Sequence, residues 1–205
     1  MRTKEKQEQL NAYWSNFVSG VDREKAFSRI YDLNIHDLLA YGCSLGFDEE
    51  TCKDVAHDLF FRLFQDAGRS YEIGNITVYL FGSFRNRLIS TGLRNTRLKD
   101  VKIEELPFAT EVTILDTLTN EEDRALLRDN VAALLRELTP RQREAIYLRY
   151  MQNMAYDDIA RLLEMTNGSV RKLVYRALET MRRKASEMDM PLVVVMFLAY
   201  LRDFS

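Results

Sequence analysis

Five side chains near the end of the chain, Ser169, Arg171, Lys172, Tyr175 and Arg176, have types and spacing that suit one chemistry: donating hydrogen bonds to base edges and to phosphate. They recur within NGSVRKLVYRALETMRRK, residues 167–184. On the same stretch Val170, Leu173, Val174, Ala177 and Met181 fall at i, i+3, i+4, i+7 and i+11, which reads as one buried helical stripe. A helix of this build fits the major groove of B-DNA, where Arg and Lys donate to guanine O6 and N7 and the helix-terminal amides face phosphate. Thr166 caps that helix, and Asn167 opens it as a further polar group at the same end. A cationic face that merely keeps the protein in solution is the plain alternative. A short helix and a capped tight turn directly upstream favour the DNA reading.

That helix must be held by others. Thr139-Pro140 pairs an N-cap residue with proline at the first helical position, so PRQREAIYLRY reads as a helix to about Tyr150. A second helix covers about Tyr156 to Leu163, and Glu164-Met165 forms the turn. Ahead of the trio, Leu126, Leu127, Val131, Leu134, Leu135 and Leu138 make an amphipathic stripe. Upstream, residues 6–46 carry helical periodicity through Trp14, Phe17, Phe27, Ile30, Leu38 and Tyr41, with Gly42 and Gly46 read as turns. A helix from Asp48 to Phe64 buries Val55, Leu59, Phe60, Leu63 and Phe64; residues 66–76 read as a loop; Thr77 to Thr91 is helical again. Residues 95–121 lose periodicity and contain Pro107, as a linker would. The expected fold is all-α: two small helical domains, 1–97 and 121–187, joined by a linker at 98–120 and followed by a tail at 188–205.

Composition agrees with that class. The 205 residues include 8 Gly and 3 Pro, few for a chain rich in turns or strands. The polar start MRTKEKQEQL is no secretory signal. Cys43 and Cys52 match no metal or redox spacing, so a reducing cytoplasm is the expected compartment. With two histidines, no glycine-rich phosphate loop and no metal cluster, neither a catalytic residue nor a cofactor is expected. Net charge is −2, but it is unevenly spread. From Arg85 to Lys102 six cations face Asp100 alone, and from Arg161 to Lys184 seven face two acids. The tail PLVVVMFLAYL, Pro191 to Leu201, is too short for a bilayer span of about 20 residues. It reads as a helix packed on the C-terminal domain, with a partner contact as the other reading.

The segment from Leu138 to Lys184 resembles the promoter-binding region 4 of bacterial RNA polymerase sigma factors. The resemblance rests on Leu138-Thr139-Pro140, Tyr156-Asp157-Asp158-Ile159-Ala160, Gly168-Ser169-Val170-Arg171 and Arg176-Ala177. Two-component response regulators share part of that pattern. CKDVAHDLFFRLF, residues 52–64, resembles the region-2 segment that binds polymerase, through Asp54, Asp58, Leu59, Phe60 and Leu63. Residues 77–90, with Arg85-Asn86, resemble the helix that follows it, and residues 14–31 the entry to region 2. Together these are similar to the small extracytoplasmic-function group of sigma factors. His57 stands where that family has Gln, Ser90 where it has Asp, and Asn153-Met154-Ala155 lacks its usual Gly and hydroxyl cap.

The resemblance implies a promoter-specificity subunit with no catalytic residue of its own. Its partners would be bacterial core RNA polymerase and promoter DNA, with an anti-sigma factor as a further one. Asp54, Asp58, Phe60 and Arg62 would dock on polymerase, where an acidic face suits a basic coiled coil. Thr166, Asn167, Ser169, Arg171, Lys172, Tyr175 and Arg176 would read the upstream (−35) duplex element. Capturing one strand of the −10 element calls for aromatic surface and a cationic track. Tyr71, Asn75, Tyr79, Arg85, Asn86, Arg87, Arg94 and Arg97 supply those types. For Tyr79 an ordinary core role fits as well. The competing function is a stand-alone helix-turn-helix regulator that needs no polymerase.

Overall fold

The computed structural model describes residues 2–65, 73–94, 108 and 121–190, with backbone alone at 2–4, 94 and 121–128. Two compact units divide the chain, Met1–Pro107 and Phe108–Ser205. Among the described residues both are helical and contain no strand, as an all-α chain of two helical domains requires.

In the first unit α1 (Arg2–Ser19), α2 (Arg23–Ser44), α3 (Glu49–Gln65) and α4 (Ile76–Arg94) pack around one core. The helical pattern over 6–46 is two helices rather than one run. Gly20 at φ 82° and Asp22 at φ 45° reverse the chain between them, a backbone state that glycine and aspartate tolerate best. Leu10, Trp14 and Phe17 from α1 meet Ile30, Leu38 and Tyr41 from α2. Leu59 and Leu63 from α3 and Leu80, Phe81, Phe84 and Leu88 from α4 complete the core. Phe17, Phe27, Tyr31, Phe60 and Phe64 form an aromatic cluster with centroids 4.8–6.2 Å apart.

Gly42 is not a turn. It lies inside α2, where a Cβ would sit 2.5 Å from Cys52 Sγ and 3.0 Å from Phe84 Cε1. The missing side chain is what lets α2 approach α3 and α4. Gly46, at φ 86°, does turn the chain, and Asp48 then caps α3 by accepting from Thr51 N at 2.8 Å.

The second unit holds α5 (Glu121–Arg136), α6 (Pro140–Ile146), α7 (Tyr156–Leu162) and α8 (Asn167–Glu187). Between α6 and α7 a π-helical turn, Tyr147–Met151, widens the backbone. Tyr147 and Leu148 are both buried there. Phe108, a residue of the segment expected to be linker, is buried with its ring 5.6 Å from that of Tyr147. The rest of that segment, and the apolar stretch 191–201, lie outside the described residues.

Candidate nucleic-acid interface

The second unit builds its exposed face from caps and turns. Thr139 accepts from Gln142 N at 3.3 Å, and Gln142 Oε1 accepts from Thr139 N at 2.9 Å, closing a reciprocal capping box on α6. Arg141 pairs with Glu144 at 3.4 Å and donates to the Leu163 carbonyl at the end of α7. So α6 and α7 are locked before α8 begins. Where the resemblance leads one to expect a glycine and a hydroxyl cap, Asn153 takes φ 51°, and Ala155 starts α7 with no side-chain cap. The turn into α8 runs through Glu164 at φ 54°.

Thr166 caps α8, accepting from Ser169 N at 3.2 Å, and its hydroxyl lies 2.8 Å from that of Ser169. Val170, Val174, Ala177, Leu178 and Met181 face inward, while Leu173 is half-buried. Ser169, Arg171, Lys172, Tyr175 and Arg176 are all exposed on the opposite face, with Tyr175 at 58%. Tyr175 donates to Glu179 Oε1 at 3.2 Å. Asn167 is committed at both ends of its amide: Nδ2 donates to Asp157 Oδ1 at 2.6 Å, and Oδ1 accepts from Arg171 Nε at 2.7 Å. The arrangement offers an ordered polar face in which Thr166 is linked to Ser169 and Asn167 to Arg171.

The first unit sorts its candidates differently. Asn75 is the N-cap of α4, accepting from Thr77 N at 3.1 Å and Val78 N at 3.3 Å. Tyr79 is half-buried. Arg85 is 2% exposed on the inward face of α4, one turn from Phe81 and Leu88, so it cannot lie on a surface track for a strand backbone. Asn86 is exposed, and Arg87 is half-buried with Asp58 at 3.9 Å. The Arg94 side chain, Tyr71 and Arg97 lie outside the described residues. On α3, Asp54 and Asp58 are exposed, and Asp58 pairs with Arg62 at 3.6 Å. Phe60 is 3% exposed and packs edge-on against Phe27 and Tyr31, so it is core rather than contact surface. The neighbouring Phe61 is 61% exposed. The helical stripe that includes Phe60 leaves Phe61 off it, which is the signal that would have found it.

Residues 128–181 match the family model for sigma-70, region 4. The RNA polymerase sigma-E factor of Streptomyces avermitilis is 32% identical over 97 residues, 47% of this chain and 50% of that protein. The ECF RNA polymerase sigma factor BldN of Streptomyces coelicolor is 28% identical over 166 residues, 77% of this chain and 60% of that protein. Among solved structures, the sigma factor RpoE in complex with the anti-sigma factor NepR from Bartonella quintana is similar with a TM-score of 0.51 and 26% identity. That likeness covers 78% of this chain and 96% of that one. Residues 128–181 thus carry a sigma-70 region 4, and the chain as a whole is similar to extracytoplasmic-function sigma factors. It spans about half to three fifths of the length of these two curated relatives. The region-4 match runs from the last turns of α5 into α8, and so takes in the whole capped scaffold described above. Among the described residues no group of three or more His, Cys, Asp or Glu could hold a metal ion. No helix among them is long and apolar enough to cross a membrane.

Proposed function

We propose that this chain directs a bacterial RNA polymerase in the cytoplasm to particular promoters, acting by binding rather than by catalysis. In this reading α8 reads an upstream duplex element and the first unit captures the −10 strand. The observation that carries it is the exposed face of α8, with Ser169, Arg171, Lys172, Tyr175 and Arg176 presented together on a segment that matches sigma-70 region 4. The width of that helix suits the major groove, and the capped N-terminus points backbone amides outward for phosphate.

In the same reading α3 docks on polymerase. Asp54, Asp58 and Arg62 supply charge that orients encounter, and exposed Phe61 supplies the apolar contact that was expected of Phe60. Asn86, Arg87 and Tyr79 remain on or near the surface of α4 for strand capture, with Arg85 supporting them from the core. Stacking contributes about 1–3 kcal/mol per base, enough to hold a strand that polymerase has loosened. An anti-sigma partner is a further part of this reading, supported by the likeness to a sigma factor solved with one.

Run-off transcription with sigma-free bacterial core polymerase tests the proposal. Transcripts from discrete start sites that need both the chain and the core enzyme are expected. Tight binding of the chain alone to duplex DNA, with no association with polymerase, would replace this reading with a stand-alone regulator.

A further inference from the structure

Tyr156, at the start of α7, is buried, yet it touches the exposed face of α8. The Arg171 guanidinium lies over its ring, 4.5 Å from the centroid, and that of Arg149 lies 4.7 Å from the same centroid. Arg149 comes from the π-helical turn and is itself anchored, its Nη1 donating to the Met154 carbonyl at 3.0 Å. Arg171 is held a second time by its Nε, which donates to Asn167 Oδ1, while Asn167 is tied in turn to Asp157 on α7. One exposed arginine is therefore held at two points, over a ring and by an amide. Arg171 as a whole remains exposed, and its Nε is the guanidinium nitrogen engaged by Asn167. Lys172 and Arg176, also exposed on α8, have no such holder among the described contacts.

This difference has a chemical meaning. A flexible cation finds a phosphate from many directions but discriminates no base. A planar guanidinium held in one orientation presents two parallel N–H donors, the complement of guanine O6 and N7. We infer that Tyr156 and Asn167 are positioning residues that hold Arg171 as a fixed two-donor fork for one guanine. They thereby set the specificity of α8 at that base pair. The inference rests on the reading of α8 as a duplex reader and deepens it.

The test is selection from a duplex library with about ten randomised base pairs, on the full-length chain with and without bacterial core polymerase. The wild-type chain is expected to enrich a motif with a guanine at one position. Arg171→Ala and Tyr156→Leu should each lower the preference for that guanine about tenfold and leave neighbouring positions unchanged. Tyr156→Phe, which keeps the ring, should retain the preference. Asn167→Ala, at a partly exposed site that carries no core packing, should lower it in the same single position even if Tyr156→Leu folds poorly. A Tyr156→Leu or Asn167→Ala profile with the shape of the wild type, whether at full strength or uniformly weakened, overturns the positioning role while α8 stays a reader. A wild-type chain that enriches no sequence in either condition removes the reading of α8, and the inference with it.

Discussion

Phe61 is a large apolar side chain left in solvent between Asp58 and Arg62, beside a helix face otherwise packed with Leu59, Phe60 and Leu63. Its removal should cost the fold little and the complex much. If α3 docks on polymerase as proposed, Phe61→Ala weakens binding to core polymerase about tenfold or more, as truncating an aromatic anchor does. A thermal melt should move little, and titration of labelled core enzyme measures the binding. Phe60→Ala should do the reverse, because it empties a core site. Cys52 makes a different single-residue case. Burial, followed by the nearby Cys43, pushes its thiol up to about 12 from the ordinary 9.0. The unfolded chain then loses this proton above about pH 9, while the folded chain keeps it until about pH 12, so stability falls through that window. Urea midpoints measured from pH 8 to 11 should decline more steeply for the wild type than for Cys52→Ala.

At the scale of the element, the decisive residues are the ones that let helices meet. Gly42→Ala gains about 0.8–1 kcal/mol of helix propensity. It also forces a methyl to within 2.5 Å of Cys52 Sγ, where overpacking costs about 1–3 kcal/mol. The expected outcome is a net loss of about 1 kcal/mol in urea unfolding, whereas propensity alone demands a gain. This same glycine shows why the elements were only partly legible. Apolar spacing revealed α3, α4, α7 and α8 within a few residues, because periodicity is local. A glycine that serves a helix crossing looks in sequence like a glycine that serves a turn. Thr139 and Thr166 were readable as caps from type and place, and the structure adds the return bond from Gln142. Ala155 carries no cap signal because the turn ahead of it is made by the backbone of Asn153.

Across the whole molecule, a net charge of −2 sits beside two strongly basic stretches, so any affinity for DNA must come from local charge rather than from the sum. Lys172 is exposed, with no holder among the described residues, and in the proposed reading it is a phosphate contact. Lys172→Ala should weaken duplex binding about equally across sequences and lower the salt slope of log K by about one unit, read from binding isotherms at several salt concentrations. The α8 face could be found from sequence because its five polar side chains follow a single helix. The Tyr156–Arg171–Asn167 linkage could not, since it joins residues from α7 and α8 that only tertiary packing brings together. Arg85 was misplaced for a related reason: a cation in a basic run gives no sign that its own helix turns it inward.

Arg23 donates to the Phe64 carbonyl at 2.7 Å and lies over the rings of both Phe17 and Phe64, 5.2 and 5.0 Å from their centroids. One exposed side chain from the first turn of α2 thus clasps the last turn of α3 to α1. Helix ends normally open many times before the whole domain does, and their amides exchange with solvent deuterium accordingly. With this clasp in place, amides of residues 62–65 should exchange nearly as slowly as mid-helix ones. Arg23→Ala should release that last turn alone, leaving the protection of Leu59 and its neighbours unchanged.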